Sequence, residues 1–197
     1  MMIHPLKAIP ILLLFSCLVG TTFGQTISPT PHKGFLNLTS FGLMFGREEI
    51  QLWPEGTTKL VTVGVSLQSF NGFQFHKALA VGMSINLDAY LATGGLHVPM
   101  AFGVRGFFGK QARFFYGLDI GPSVMLSNTE SFEEYKSFML QPLIGYKLSK
   151  KANKSLFIQT GLKKQRLSLL NSIPDGSWQS QKEITYNRWF ISIGCSI

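Results

Sequence analysis

Seven stretches of this chain alternate a large apolar residue with a small or polar one, and a period of two separates the two faces of a β-sheet. Val61, Val63, Val65 and Leu67 share one face, with Thr62, Gly64, Ser66 and Gln68 on the other. Leu79, Val81, Met83, Ile85 and Leu87 oppose Ala80, Gly82, Ser84, Asn86 and Asp88. The pattern returns around Val98–Arg105, Tyr116–Val124, Phe138–Lys147, Leu156–Lys163 and Trp189–Ile197. An eighth, less regular stretch spans Gly34–Gly46, where Phe41, Leu43 and Phe45 fit one face but Asn37 and Thr39 fall on it too; a bulge or an interfacial start is expected there.

A soluble sandwich would also alternate, so the content of each face decides. The apolar face is uniform and built of large residues. The opposite face collects Gly, Ser, Gln, Asn and the charges, as a narrow polar lumen requires. Each stretch offers about 9 to 13 residues, enough for a tilted membrane-spanning strand. No stretch after residue 24 supplies the roughly 18 apolar residues of a membrane helix. The fold expected is all-β: a closed antiparallel transmembrane β-barrel of eight strands over residues 34–197. Closure removes the free edges that lipid does not tolerate. The segments Arg47–Thr58, Leu91–Leu96, Ser127–Lys136 and Ser168–Thr185 read as outer loops, and Asn71–His76, Gly109–Arg113 and Ser149–Lys154 as shorter periplasmic turns. Asn71-Gly72 resembles a hairpin turn, but Phe70 and Phe73 lie on opposite faces, which demands an odd-length connection or a bulge. Phe108, Phe114, Tyr146 and Trp189 are placed to form interfacial girdles.

The amino terminus reads as an export signal. Lys7 precedes the apolar run Ile11–Phe15, and Thr22-Phe23-Gly24 has small residues at its first and third positions. Cleavage is expected between Gly24 and Gln25, with 25–33 a periplasmic lead-in to the barrel. Loss of Lys7 lowers the formal charge from +8 to +7. Cys195 is then the only cysteine, which excludes an intrachain disulfide and a Cys-based zinc site. For an exported basic chain the partners expected are outer-membrane lipids and lipopolysaccharide, not nucleic acid. Barrel-assembly machinery acts during insertion, and envelope proteins are further candidate partners.

The inward face carries Asp88, Arg105, Asp119, Gln141, Lys147, Gln159 and Lys163. Eight strands leave a lumen filled by side chains, so these residues are expected to form a plug of ion pairs and hydrogen bonds, with Arg105 against Asp119. A narrow polar conduit is the competing reading. Asp88 and His97 flank a short outer loop, yet Ser84 lies deeper, so an acyl-transfer triad is not expected. His32, His76 and His97 are too scattered for a metal site. No catalytic, cofactor or metal residue is assigned. Lys163-Lys164 and Arg166 also fit a strand leaving the membrane among anionic head groups.

The run Gly34-Phe35-Leu36-Asn37-Leu38-Thr39-Ser40-Phe41-Gly42, with Gln68-Ser69-Phe70-Asn71-Gly72-Phe73-Gln74-Phe75 and Tyr116-Gly117-Leu118-Asp119-Ile120-Gly121, resembles the PorT-like outer-membrane β-barrel family. The resemblance covers nearly all of the mature chain. It implies the eight-stranded architecture of OmpA-type membrane domains. PorT itself is associated with protein secretion, a role that does not transfer by fold alone. The last strand resembles the signal read by barrel-assembly machinery, ending in Ile197 in place of Phe.

Overall fold

In a computed structural model the chain forms a closed barrel of eight antiparallel strands, each bonded to its neighbours in chain order, with β8 returning to β1. The structure describes residues 34–52, 56–91, 96–109, 112–126, 134–148, 155–172 and 179–196. The export signal, the Gly24–Gln25 cleavage point, the lead-in and the basic turn at 149–154 lie outside them.

The strands are β1 (Gly34–Leu52), β2 (Gly56–His76), β3 (Leu79–Tyr90), β4 (Leu96–Phe108), β5 (Phe114–Met125), β6 (Glu134–Lys147), β7 (Ser155–Ser172) and β8 (Gln179–Ser196). Their outward residues make an apolar wall. Phe41, Leu43 and Phe45 on β1 stand beside Ile193, Ile191 and Trp189 on β8, all exposed. Leu118, Ile120, Ile144, Ile158 and Leu162 continue the band. In water so large an apolar surface would drive association; in a bilayer it is the required exterior. At the end of the barrel where β1 begins and β8 finishes, here termed the inner end, Phe108 stacks on Phe114, which meets Tyr146 at 4.9 Å, forming a girdle. At the outer end the band stops where Arg47, Asn187 and Lys164 line up on β1, β8 and β7.

Three expectations are corrected. The first strand has no bulge: its register against β2 is unbroken from Gly34 to Leu52, and against β8 from Leu38 to Leu52. Asn37 and Thr39 are tolerated on the outward face because Ser69 and Asn71 oppose them. Asn37 Nδ2 donates to Asn71 Oδ1 at 2.7 Å, and the Thr39 hydroxyl donates to Asn37 Oδ1 at 3.0 Å. The four polar side chains thus bond one another in place of water. Second, Asn71-Gly72 is not a turn. β2 runs through it to His76, the register slips between Gln74 and His76, and the chain reverses at Lys77-Ala78. The parity conflict is resolved by that bulge, which lies three residues beyond Gly72. Third, the outer connections are not consistently the longer ones: three residues join β1 to β2, whereas seven join β6 to β7. Residues read as outer loop continue the strands instead. Backbone pairing does not require the apolar alternation that ends at the membrane border, so β1, β2, β7 and β8 reach 19, 21, 18 and 18 residues.

Candidate functional site: the barrel lumen

Inward side chains fill the barrel in three tiers. The inner tier is apolar. Phe70, Phe107, Phe115 and Phe157 are buried with Leu36, Leu38 and Leu143, and the Phe115 and Phe157 rings meet edge-on at 5.6 Å. Facing glycines make room for these rings: a Cβ at Gly145 would lie 2.2 Å from the Phe115 ring. Lys147 sits in this tier, its ammonium 4.7 Å from the centre of the Phe107 ring. It therefore stands apart from the other six polar residues read from the sequence.

The middle tier holds those six. Arg105 and Asp119 form a two-pronged pair at 2.6 and 2.8 Å, with side chains 1% and 0% exposed. Arg105 is across the ladder from Gly117, and Asp119 is one inward position further on. The guanidinium arm lies over Gly117, where a Cβ would come within 2.7 Å of it. Arg105 also donates to the Val104 carbonyl and lies 4.3 Å from the centre of the Phe70 ring. The second Asp119 oxygen accepts from Gln68 Nε2 at 2.8 Å. Gln68 Oε1 in turn accepts from Gln141 at 3.2 Å and from Gln159 at 3.0 Å. The Asn86 amide lies 3.1 Å from Gln141 Oε1.

Lys163 on β7 and Asp88 on β3 come from opposite walls. The ammonium donates to both carboxylate oxygens, at 2.9 and 2.8 Å, and the Ser66 hydroxyl donates to the same group at 2.6 Å. Buried charges of this kind persist only when paired and hydrogen-bonded.

The outer tier was not assigned from the sequence. Arg188 is buried against the stacked pair Tyr90 and Tyr186, its guanidinium carbon 3.5 and 4.2 Å from the two ring centres. The Tyr90 hydroxyl donates to Gln165 Oε1 at 2.9 Å, a second link between β3 and β7. Gln165 Nε2 donates to Ser123 at 2.7 Å and meets His97 Nδ1 at 3.0 Å. Inward parity would have pointed to Arg188, two residues before Phe190 and four before Ser192. One ring partner, Tyr186, is two residues away on the same strand, but the other, Tyr90, is 98 residues away on β3, and spacing does not reveal it.

Chemically, this lumen is a set of braces. Asp88 is committed to Lys163 and Ser66, while the His97 Nδ1 side faces Gln165, so these described residues do not form a nucleophile–base–acid set. Among the described residues no group of three His, Cys, Asp or Glu side chains is placed to hold a metal ion.

No family model and no curated protein matches the chain. Solved structures do. Outer membrane protein AlkL, determined in DMPC lipid bilayers, aligns with a TM-score of 0.55 at 9% identity, covering 88% of this chain and 93% of AlkL. Outer membrane protein OprG from Pseudomonas aeruginosa aligns with a TM-score of 0.52 at 10% identity, covering 84% of this chain and 96% of OprG. At such identities the likeness is one of fold: this chain has the closed eight-stranded architecture of outer-membrane barrels.

Proposed function

We propose that this chain is an integral outer-membrane barrel that neither conducts nor catalyses. It serves as a structural or adhesion element, or as an envelope-machinery component of the PorT-like kind its sequence resembles. The observation that carries the reading is the pair of links across the lumen, Lys163 to Asp88 and Tyr90 to Gln165, which tie opposite walls together. Below them the phenylalanine tier closes the inner end. The apolar outer wall supports membrane placement, as does the occurrence of this fold in a protein determined in lipid bilayers.

Planar-bilayer conductance tests the closed lumen. Purified wild-type protein inserted in a bilayer is expected to give no steady conductance step; a stable, reproducible step would favour a small-solute pore instead. Heat-modifiable gel mobility together with membrane fractionation tests the placement, and recovery in the soluble fraction without detergent would overturn it. Lipid A unchanged on expression is the outcome expected of a non-enzymatic barrel.

A further inference from the structure

The barrel does not end at one height. β1, β2, β7 and β8 rise beyond the outer border of the apolar band, whereas β3 stops at Tyr90, paired with Gly64. The last bond on that side runs from the Leu91 amide to the Val63 carbonyl, at 3.0 Å. From Gly56 to Thr62, β2 is bonded to β1 on one side, and no described residue pairs with it on the other.

The Leu91–Val63 bond fixes which groups face the open side. Donors and acceptors of alternate residues in a strand point to opposite neighbours. Val63 points towards β3, so Val61, Lys59 and Thr57 point the same way, where no described residue pairs with them. The side chains of these three residues are exposed, Val61 at 78%. Val61 is level with Arg47, where charge first appears on the outward face, so the edge lies just outside the apolar band.

We propose that the outer half of β2, from Thr57 to Val61, is a strand-addition site that accepts an extended polypeptide segment of a partner protein. Three N–H and C=O sets repeat along it every second residue, about 6.8 Å apart. That array is matched by another extended backbone, and neither a lipid head group nor a sugar repeats at this interval. The edge is rich in β-branched residues and is unbroken by proline or bulge; its one blunting residue, Lys59, has its ammonium drawn towards Glu49 on β1 at 2.8 Å.

A second copy in the same membrane does not fit. Joining β2 to its own counterpart requires a twofold axis along the membrane normal. With strands tilted about 40°, that axis would cross the two edges at about 80°. Neighbouring strands in a ladder diverge by only about 20–25°. A flexible segment adapts its direction; a barrel wall does not. The fitting segment has at least five residues and no proline at its bonding positions. β-Branched side chains suit the places beside Thr57 and Val61, and an acid beside Lys59 would share an ammonium that Glu49 already holds at 2.8 Å.

The test uses the full mature barrel in micelles, with the capped peptide Thr-Val-Thr-Glu-Val-Thr as probe. Amide NMR and hydrogen exchange are read at Thr57, Lys59 and Val61. Fast exchange is expected in the free protein, with saturable shifts and at least tenfold slower exchange on adding peptide. Lys59→Pro removes an outward-pointing N–H and should abolish binding, while Lys59→Ala should retain it. Heat-modifiable mobility establishes that both variants fold. If Lys59→Pro does not fold, a peptide N-methylated at alternate residues gives the same answer on the wild type, and it should not bind. The proposal is overturned if the three amides are already protected without peptide, or if the peptide binds elsewhere or binds the N-methylated form equally. Lipopolysaccharide producing the same shifts in wild type and Lys59→Pro would assign the surface to glycolipid and would also overturn it.

Discussion

Replacing Asp119 with Ala removes the anion from the most enclosed ion pair in the lumen. Arg105 then keeps only the Val104 carbonyl and the face of the Phe70 ring, with its side chain 1% exposed. Stranding one partner of a buried pair typically costs about 3–5 kcal/mol, because the remaining charge is neither solvated nor paired. Gln68 also loses an acceptor, which adds about 1 kcal/mol. Asp119→Ala should therefore destabilise the barrel by about 4–6 kcal/mol. Removing both charges while keeping volume, as in Arg105→Met with Asp119→Leu, should cost much less than the two single changes together. The coupling expected from such a cycle is about 3 kcal/mol in magnitude. Urea unfolding of barrel reconstituted in lipid vesicles, followed by tryptophan fluorescence and by the heat-modifiable gel shift, measures all four corners. A loss below about 1 kcal/mol for Asp119→Ala, or additive single changes, would mean that water reaches the pair. It would refute the enclosed lumen described above.

Further changes test the tiers and the wall separately. Gly145→Ala should destabilise by about 1–3 kcal/mol in the same unfolding assay, because its Cβ would meet the Phe115 ring at 2.2 Å. Phe157→Ala should cost about 3–5 kcal/mol by leaving a cavity in the inner tier, and the conductance assay should stay silent while the middle tier holds. Ile193→Lys, in the middle of the outward band beside Phe41, should cost about 2–4 kcal/mol in vesicles, whereas Val61→Lys beyond the band should cost about 0–1. Equal costs at the two positions would contradict the placement of the outer border.

Alternation let the sequence determine the facing of the strands on its own. Val61 to Leu67 and Leu79 to Leu87 carry a period-two pattern that only a sheet satisfies, and the small polar residues on their second face specify a narrow interior. Asp88, Arg105, Asp119, Gln141, Gln159 and Lys163 could be placed inside by parity alone. Partnerships were less legible. Arg105 and Asp119 sit on adjacent strands, so their meeting follows from local register. Lys163 and Asp88, or Arg188 and Tyr90, meet only once the sheet has closed and distant strands face each other across the lumen. Closure also decides where loops begin. The apolar pattern fades at the membrane border near Arg47, but the hydrogen-bond ladder has no such border and carries β1 on to Leu52. Side-chain alternation reports the solvent that each face meets, whereas backbone pairing reports only whether a neighbouring strand is present. The tertiary structure alone supplies the second, and with it the stretch of β2 beyond Val63 that no described residue of β3 pairs.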